Sequence, residues 1–430
     1  MSKMQKENVV FLCIFEREYL KDVLSVDEFF AREKKLKFIL YCSYLFVSLQ
    51  NKIITKLNKM REQITGKYKV CLTVCLVMLL LLTCFSCSKD GDTIYVQEPD
   101  DVPSTAPLVI VVYDPDALGD RSYNDLICRG VEEAALKSHV RTMQLSPSSR
   151  QEGLTYLETF FQQMSTQQDT IRRLLVVTSP AYDDFVRRNN RRLEGNPYAD
   201  LLYLETSTPL DGKGSTLYLP YYGAMYEAGA YTPYFGSFEV LLVGANRENE
   251  SVADAMQGFL DGFSTDYFPP MFPDKIQKRT VVEYLGEHQD EGFSVSDSIA
   301  LQLMMKYEWD RDYSMPMVVP VCGGAGQFFL RMAEMVRQFY CMGVDVQQLS
   351  CNCHHSVVKH IDRALDLCVS QWLSAEGMSK HQVLGLASGY TEVIIHPVLS
   401  IFTMNLTDLS VETRQAIHQE AIRKEEEYGR

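Results

Sequence analysis

The sequence predicts an α/β fold in which parallel sheets are divided between two lobes. Short aliphatic runs, such as LVIVVY and EVLLVGA, alternate with helix-length segments that have apolar residues near i, i+3, i+4 and i+7. Strands separated by helices form βαβ units, whose parallel sheets are buried on both faces. The 430 residues fit two such sheets better than one large sheet.

The predicted elements alternate along most of the chain after residue 107. Strands are predicted at residues 108–113, 174–179, 201–206, 215–220, 239–245, 280–286, 315–321 and 382–388. Helices are predicted at residues 125–138, 153–165, 181–193, 251–263, 294–306, 327–339 and 356–373. No repeat with a short fixed period is present, so the pattern does not indicate a solenoid.

The charge distribution argues against a nucleic-acid-binding protein. The formal net charge is −14, but residues 1–87 carry 14 Lys and Arg against 8 Asp and Glu, whereas the rest carries 28 against 48. Phosphate recognition needs a basic face, which this acidic body does not offer. The chain also has no G-x-S-x-G, P-loop or dinucleotide-binding motif, so we expect a binding protein that is not an enzyme and has no cofactor.

The longest apolar run, Val70–Phe85, follows basic residues and is short for a membrane-spanning helix. It resembles the apolar core of a bacterial lipoprotein signal peptide, so we assign residues 60–87 to that signal and Cys87 to the lipidated position. Cys84 is the competing acceptor, and an uncleaved amino-terminal anchor is the alternative. Either interpretation places the body outside the cytoplasm, in the cell envelope.

Two flanking segments complete this region. Residues 1–59 precede a start-like Met60 and are interpreted as a non-native or disordered extension, although FILYCSYLFVSL within them leaves open a second membrane-associating segment. Residues 88–106 are acidic and contain proline, which is typical of a solvated tether.

The cluster CNCHH at 351–355 contains residue types that bind zinc. It lacks the separated ligand pairs of structural zinc sites, and no second cluster completes it. We therefore predict no metal site and interpret the cluster as part of a connection between the lobes.

The stretch GDRSYNDLICRGVEEA, residues 119–134, follows the first predicted strand with polar side chains before a helix begins. In open parallel sheets, ligands bind just beyond the carboxyl ends of the strands. These side chains are therefore candidate ligand contacts. The alternative is a solvated loop that caps the helix.

This stretch resembles the G-D-x-S-F-N-x-x-x-x-x-G motif of the basic membrane protein family, which includes purine nucleoside receptors. Three later stretches resemble other motifs of the family in the same order: VVPVCGGAGQFFLRMAE, CMGVDVQQ and SVVKHIDRAL. The similarity extends from Pro107 to about Pro397. Members are extracytoplasmic, often lipid-anchored binding components of ABC importers with the type I periplasmic-binding-protein fold.

The resemblance implies two α/β lobes joined by a three-segment hinge and closing over a ligand. Lobe one is expected at residues 107–210 and 350–382, and lobe two at residues 211–349 and 383–430. The expected partners are a small nucleoside-like ligand and an ABC permease, with the lipid anchor as the link to the membrane.

The family motifs also imply ligand-binding residues. Tyr123 falls where an aromatic side chain stacks on the base, and Asn124 offers an amide for a base edge. Asp184 matches an acidic residue that contacts the base, although Asp183 is adjacent.

The sugar is expected to be bound by the other motifs. Asp345 matches a carboxylate that accepts from both ribose hydroxyls, Lys359 would add a donor, and the backbone at Gly324 would approach the ligand closely. The chain departs from the family pattern at Gln347 and Ala325, which leaves the identity of the ligand open.

The resulting prediction is an extracytoplasmic solute-binding lipoprotein that delivers a nucleoside or similar polar metabolite to an ABC importer. An extracytoplasmic sensory or surface-interaction protein of the same fold is the alternative, and a nucleoside hydrolase is a third possibility.

Overall fold

The computed structural model describes residues 93–95, 102–115, 117–267, 269, 276–289, 291–307, 315–396 and 409–429. The predicted extension, the signal peptide and Cys87 lie outside these residues. Within the described ranges, no helix has the length and apolar character needed to cross a membrane.

The described strands are numbered in chain order. They are β1 (Thr93–Tyr95), β2 (Leu108–Val112), β3 (Arg141–Ser146), β4 (Arg173–Val177), β5 (Ala199–Leu204), β6 (Ser215–Tyr218), β7 (Glu239–Gly244), β8 (Arg279–Tyr284), β9 (Met317–Val321), β10 (Tyr340–Cys341), β11 (Gly343–Asp345), β12 (His355–Lys359), β13 (His381–Val383) and β14 (Thr391–Ile395).

The described α-helices are numbered in the same way. They are α1 (Tyr123–Ser138), α2 (Arg150–Thr166), α3 (Asp183–Asn189), α4 (Tyr222–Tyr231), α5 (Glu250–Phe263), α6 (Asp297–Met305), α7 (Gly326–Val336), α8 (Ile361–Leu373) and α9 (Val411–Tyr428).

The first lobe is built on a seven-stranded sheet with the order β1-β3-β2-β4-β5-β6-β13 among the described residues. All neighbouring pairs are parallel except β1 with β3. Helices α1 and α8 pack on one face, and α2 and α3 pack on the other, so alternate residues of β2 point into two different apolar clusters. This confirms the predicted parallel sheet that is buried on both faces.

The second lobe contains a four-stranded parallel sheet with the order β10-β9-β7-β8, together with the three-stranded sheet β11-β12-β14. In the latter, β11 and β12 are parallel, and β14 is antiparallel to β12. One apolar cluster joins both sheets to α4, α5, α7 and α9. The mixed α/β architecture with parallel sheets thus confirms the predicted fold class.

The chain passes between the lobes three times within the described residues: after β6, after β12 and after β13. The predicted passages were at residues 210, 349 and 382. The first two lie later because β6 pairs with β5 in the first sheet, whereas β12 pairs with β11 and β14 in the second lobe.

Two further segments differ from the sequence prediction. Thr93–Tyr95, assigned to the solvated tether, forms an antiparallel edge strand on β3, which suits its β-branched and aromatic residues. The residues Ser356–Lys359, predicted as the start of a helix, belong to β12, and α8 begins only at Ile361.

Helix α9 is attached across two of the three passages. The carboxylate of Glu425 accepts hydrogen bonds from the backbone N–H of Gly223, at the start of α4, and of Leu386, between β13 and β14, both at 2.9 Å. Burial raises the pKa of the Glu425 carboxyl to about 7. The carboxyl-terminal helix therefore links two of the segments that connect the lobes.

Candidate functional site

The loop before α1 is organised by Asp120. Its carboxylate accepts hydrogen bonds from the backbone N–H of Ser122 at 2.8 Å, of Asn124 at 3.1 Å and of Asp125 at 3.3 Å. Burial raises the pKa of this carboxyl, and the hydrogen bonds oppose that shift. Because Asp120 satisfies the free N–H groups at the helix start, Ser122 and Tyr123 are held in fixed positions.

Asp345 and Lys359 lie at the carboxyl ends of neighbouring parallel strands. Asp345 is the last residue of β11, Lys359 is the last residue of β12, and Asp345 pairs with Val358 in the strand register. Both side chains are buried. The parallel pairing explains why two residues from separate sequence motifs share one edge of the sheet, where ligands are expected.

Asp345 reaches the first lobe through a hydrogen bond. The Ser122 hydroxyl donates to Asp345 Oδ2 at 2.5 Å. Burial raises the pKa of the Asp345 carboxyl to about 6, although the Ser122 hydrogen bond and the charge of Lys359 lower it. Asp345 is therefore a hydrogen-bond acceptor in a poorly solvated position.

Lys359 forms a buried ion pair that the sequence analysis did not anticipate. Its ammonium group donates to Glu205 Oε2 at 2.7 Å, and the two side chains are 1% and 6% exposed. The ammonium nitrogen also lies 3.8 Å from the ring centre of Tyr221 and 5.3 Å from that of Tyr123. The ion pair and the aromatic faces compensate for the loss of water around the charge.

Glu205 follows β5 directly and collects donors from several elements. Tyr123 of α1 donates its phenol hydrogen to Oε1 at 2.7 Å, and Ser251 of α5 donates to Oε2 at 2.5 Å. Through Ser251 and through Lys359 at the end of β12, the carboxylate thus joins the first lobe to the second. We call Tyr123, Glu205, Tyr221, Ser251 and Lys359 the Lys359 cluster.

A further carboxylate lies near the Lys359 cluster. Asp254 of α5 accepts a hydrogen bond from the Tyr218 phenol. Burial raises the pKa of the Asp254 carboxyl to about 6, and the positive charge of Lys359 opposes this rise. Among the described residues, the carboxylates of Glu205 and Asp254 thus both lie near the single ammonium group of Lys359.

The lobes also touch at Gly324. A Cβ atom at this position would lie 3.1 Å from the Asp120 Cβ and 3.4 Å from the Phe293 carbonyl oxygen. Nearby, the Gln327 side chain donates to the Arg121 carbonyl oxygen at 3.4 Å. The absence of a side chain at Gly324 allows this close approach between the turn before α7 and the loop before α1.

The structure brings Tyr123, Asp345, Lys359 and Gly324 to the region between the lobes, but places two other candidates differently. The amide of Asn124 donates to Asp120 at 3.0 Å and thus takes part in the helix start. The Asp184 side chain is 84% exposed on α3 and lies 3.7 Å from Arg188. None of the described contacts joins Asp184 to the Lys359 cluster.

The CNCHH segment joins β11 to β12 and does not connect the two lobes. Cys351 is exposed, whereas Cys353, His354 and His355 are buried. The ring centres of His355 and Phe235 are 4.9 Å apart, in a stacked arrangement. Across the part of the chain that the structure describes, no group of three or more His, Cys, Asp and Glu side chains is placed to hold a metal ion.

The fold is similar to that of several solved structures. A solute-binding protein of an ABC transporter system from Aeropyrum pernix K1 is 14% identical, with a TM-score of 0.53 over 75% of this chain and 86% of that one. A transcriptional activator of the comK gene from Bacillus halodurans is 14% identical, with a TM-score of 0.50 over 74% and 95%. The chain has the type I periplasmic-binding-protein fold.

In a type I periplasmic-binding-protein fold, the two lobes close over a ligand about the connecting segments. The Lys359 cluster and Asp345 lie at the junction of these segments and both lobes.

No protein-family model matches the sequence, and no curated protein matches it either. The resemblance to the basic membrane protein family therefore stays a prediction. The structural similarity establishes the fold, and the ligand has to be inferred from the chemistry of the site.

Sequence reasoning missed Glu205, Ser251, Tyr221 and Asp254. Glu205 is the most instructive, because it belongs to the predicted strand LLYLET, and the described strand β5 ends one residue before it, at the edge where ligands are expected. The same rule that singled out the loop after β2 applies to this position. Ser251 and Asp254 carry no such signal, since they look like ordinary polar residues of a surface helix.

Proposed function

We propose that the chain is an extracytoplasmic, lipid-anchored solute-binding protein that captures a nucleoside or similar small hydroxylated metabolite for an ABC importer. The observation that carries this proposal is the placement of Asp345 and Lys359 at adjacent strand ends, facing the first lobe through Ser122 and Glu205. The fold supplies the hinge, and the buried polar groups supply the recognition.

The chemistry of the site suits a ligand with hydroxyl groups. A carboxylate accepts hydrogen bonds from two vicinal hydroxyls, and the described hydrogen bond from Ser122 uses only Oδ2 of Asp345. The ring of Tyr123 is held through its phenol by Glu205. A base stacked on that ring would contribute about 1–3 kcal/mol.

The amino-terminal sequence supports the location. The apolar run Val70–Phe85 and the following Cys87 resemble a lipoprotein signal, and the similar structure from Aeropyrum pernix is a transport solute-binding protein. We therefore place the body on the outer side of a membrane, anchored through Cys87.

A second candidate is a sensory or regulatory protein of the same fold. The similarity to a transcriptional activator from Bacillus halodurans supports it, because that protein acts in gene regulation. Both candidates bind a ligand between the lobes and differ in the partner. Co-purification with a permease from the native membrane would favour import, and its absence together with a bound regulatory protein would favour sensing.

The experiment that tests ligand capture is a thermal-shift screen of the purified protein against nucleosides, bases and sugars, followed by calorimetry. A ligand of the folded form raises the melting temperature by mass action. For a ligand found in this way, Asp345→Asn should weaken binding at least about 10-fold, since a charge-assisted hydrogen bond is lost.

Asp169→Asn is the matched control, because it removes an exposed carboxylate that pairs with Arg173 on the surface. It should leave the affinity unchanged. Equal affinities of the wild-type protein and Asp345→Asn would remove Asp345 from the site, and the absence of any hit would count against the proposed function.

A further inference from the structure

The backbone singles out Glu205. Five described residues other than glycine have positive φ: Arg121, His139, Glu205, Arg337 and Asp345. His139 and Arg337 end helices, where the left-handed conformation is common. The other three lie around the region between the lobes, with φ of 56° at Glu205 and 72° at Asp345. Such strain persists where the surrounding structure fixes it, and it is frequent at ligand sites.

The side chain of Glu205 is held in place by three hydrogen-bond donors. The Tyr123 phenol, the Ser251 hydroxyl and the Lys359 ammonium group all donate to its carboxylate, at 2.7, 2.5 and 2.7 Å. These donors come from α1, α5 and β12. A carboxylate that only stabilised one lobe would not need partners from both lobes, one of them at the strand end beside Asp345.

Glu205 also determines the charge that a ligand meets. Its carboxylate neutralises Lys359 at 2.7 Å, and Asp254 and Asp345 remain as further carboxylates near the same ammonium group. Burial raises the pKa of both aspartic acids to about 6, and the charge of Lys359 opposes this rise. The described side chains of the site therefore provide more acceptors with negative charge than cationic donors.

We propose that Glu205 is a specificity-determining residue, which makes the site select neutral or cationic ligands with hydroxyl groups over their phosphorylated counterparts. This inference rests on the proposed function and adds the charge class of the ligand. Hydroxyl and amine groups donate to Glu205, Asp254 and Asp345. A phosphate offers only acceptors and negative charge, and like charges placed side by side strongly disfavour binding.

The test uses ligand pairs that differ only in the phosphate: adenosine with adenosine 5′-monophosphate, and ribose with ribose 5-phosphate. Calorimetry on the full chain at pH 7.5 and constant ionic strength gives the affinity ratio within each pair. The wild-type protein should prefer the unphosphorylated member at least about 100-fold. A 5′-amino-5′-deoxy nucleoside should bind at least as tightly as the nucleoside.

Glu205→Gln removes the charge and keeps the size of the side chain, and Glu205→Ser removes the charge with a smaller side chain that still accepts hydrogen bonds. Either variant that folds, as judged by circular dichroism and gel filtration, should reduce the affinity ratio at least about 10-fold, because Lys359 is no longer neutralised. Glu158→Gln is the control, since it removes a surface carboxylate that pairs with Arg192.

Three results would overturn the inference. If the phosphorylated and unphosphorylated members of a pair bind the wild-type protein with equal affinity, the charge preference is refuted, but the proposed function is left intact. An unchanged ratio in the folded Glu205 variants refutes the role of Glu205. If no member of any pair binds, the proposed function fails, and the inference fails with it.

Discussion

Removal of the positive charge of Lys359 should strongly destabilise the protein. The Lys359→Met variant keeps most of the apolar stem but leaves Glu205 without its cation, in a position where only 6% of its side chain is exposed. Removing one partner of a buried ion pair typically costs about 3–5 kcal/mol, because the remaining charge is left buried. Asp345 and Asp254 also lose the charge that lowers their pKa.

The loss should depend on pH in a defined direction. Asp345 has a raised pKa of about 6 in the folded protein, and the loss of Lys359 raises it further. A carboxyl group with a raised folded pKa binds more protons in the folded state, so folding becomes relatively more favourable as the pH falls through that value. The difference in stability between the wild-type protein and Lys359→Met should therefore shrink between pH 7 and pH 5.

Urea unfolding of the purified full-length protein, followed by circular dichroism, measures these effects. Lys306→Met is the matched control, because Lys306 pairs with Glu283 while its side chain is 63% exposed; such a pair contributes about 0–1 kcal/mol. The double variant Lys359→Met/Glu205→Gln should recover at least about 1 kcal/mol, since both members of the pair are then neutral. A loss below about 1 kcal/mol at pH 7 for Lys359→Met would refute the reasoning.

Two other predictions concern regions outside the Lys359 cluster. His354 is buried, its ring centre lies 3.8 Å from that of Tyr340, and burial lowers its pKa to about 4. Because the unfolded state binds the proton more tightly, the wild-type protein should lose about 3 kcal/mol relative to His354→Phe as the pH falls from about 6.5 to 4, measured by urea unfolding; parallel pH profiles would contradict this. Metabolic labelling with a fatty acid should tag the protein, and Cys87→Ser should abolish the label; labelling that persists would move the anchor to another residue, with Cys84 the first to test.

The strands of the two parallel sheets were largely predictable because their sequences are continuous aliphatic runs. All eight predicted runs overlap a described strand, although only Gln382 and Val383 of the last run belong to β13. Strand β3 was not predicted, because polar Thr142 and Gln144 occupy buried positions in it. Gln144 accepts a hydrogen bond from the Tyr113 phenol at 2.5 Å, so a buried polar pair replaces the apolar signal that the sequence analysis required.

Strand β12 shows a second kind of limit. Its residues Ser356–Lys359 directly precede the helical pattern of α8, so periodicity alone extended the helix upstream. The pairing of β12 with β11 and β14 decides the matter, and such pairing depends on contacts distant in sequence. The same pairing brings Lys359 to Asp345.

The site was predictable only where a motif or a strand end marked it. Asp345, Lys359, Tyr123 and Gly324 came from the family resemblance, and the structure brings them to the region between the lobes. Glu205 required knowledge of which strand ends face the second lobe. Its three hydrogen-bond donors lie 82, 46 and 154 positions away along the chain, so a local sequence pattern could not predict these contacts.

A crystal structure of the protein with a ligand from the thermal-shift screen tests the central claim most directly. We predict that the ligand lies between the lobes, with a hydroxyl group within hydrogen-bond distance of Asp345 and another polar group in contact with Lys359 or Glu205. A ligand bound elsewhere, or one held between the lobes without contact to these three side chains, would contradict the claim.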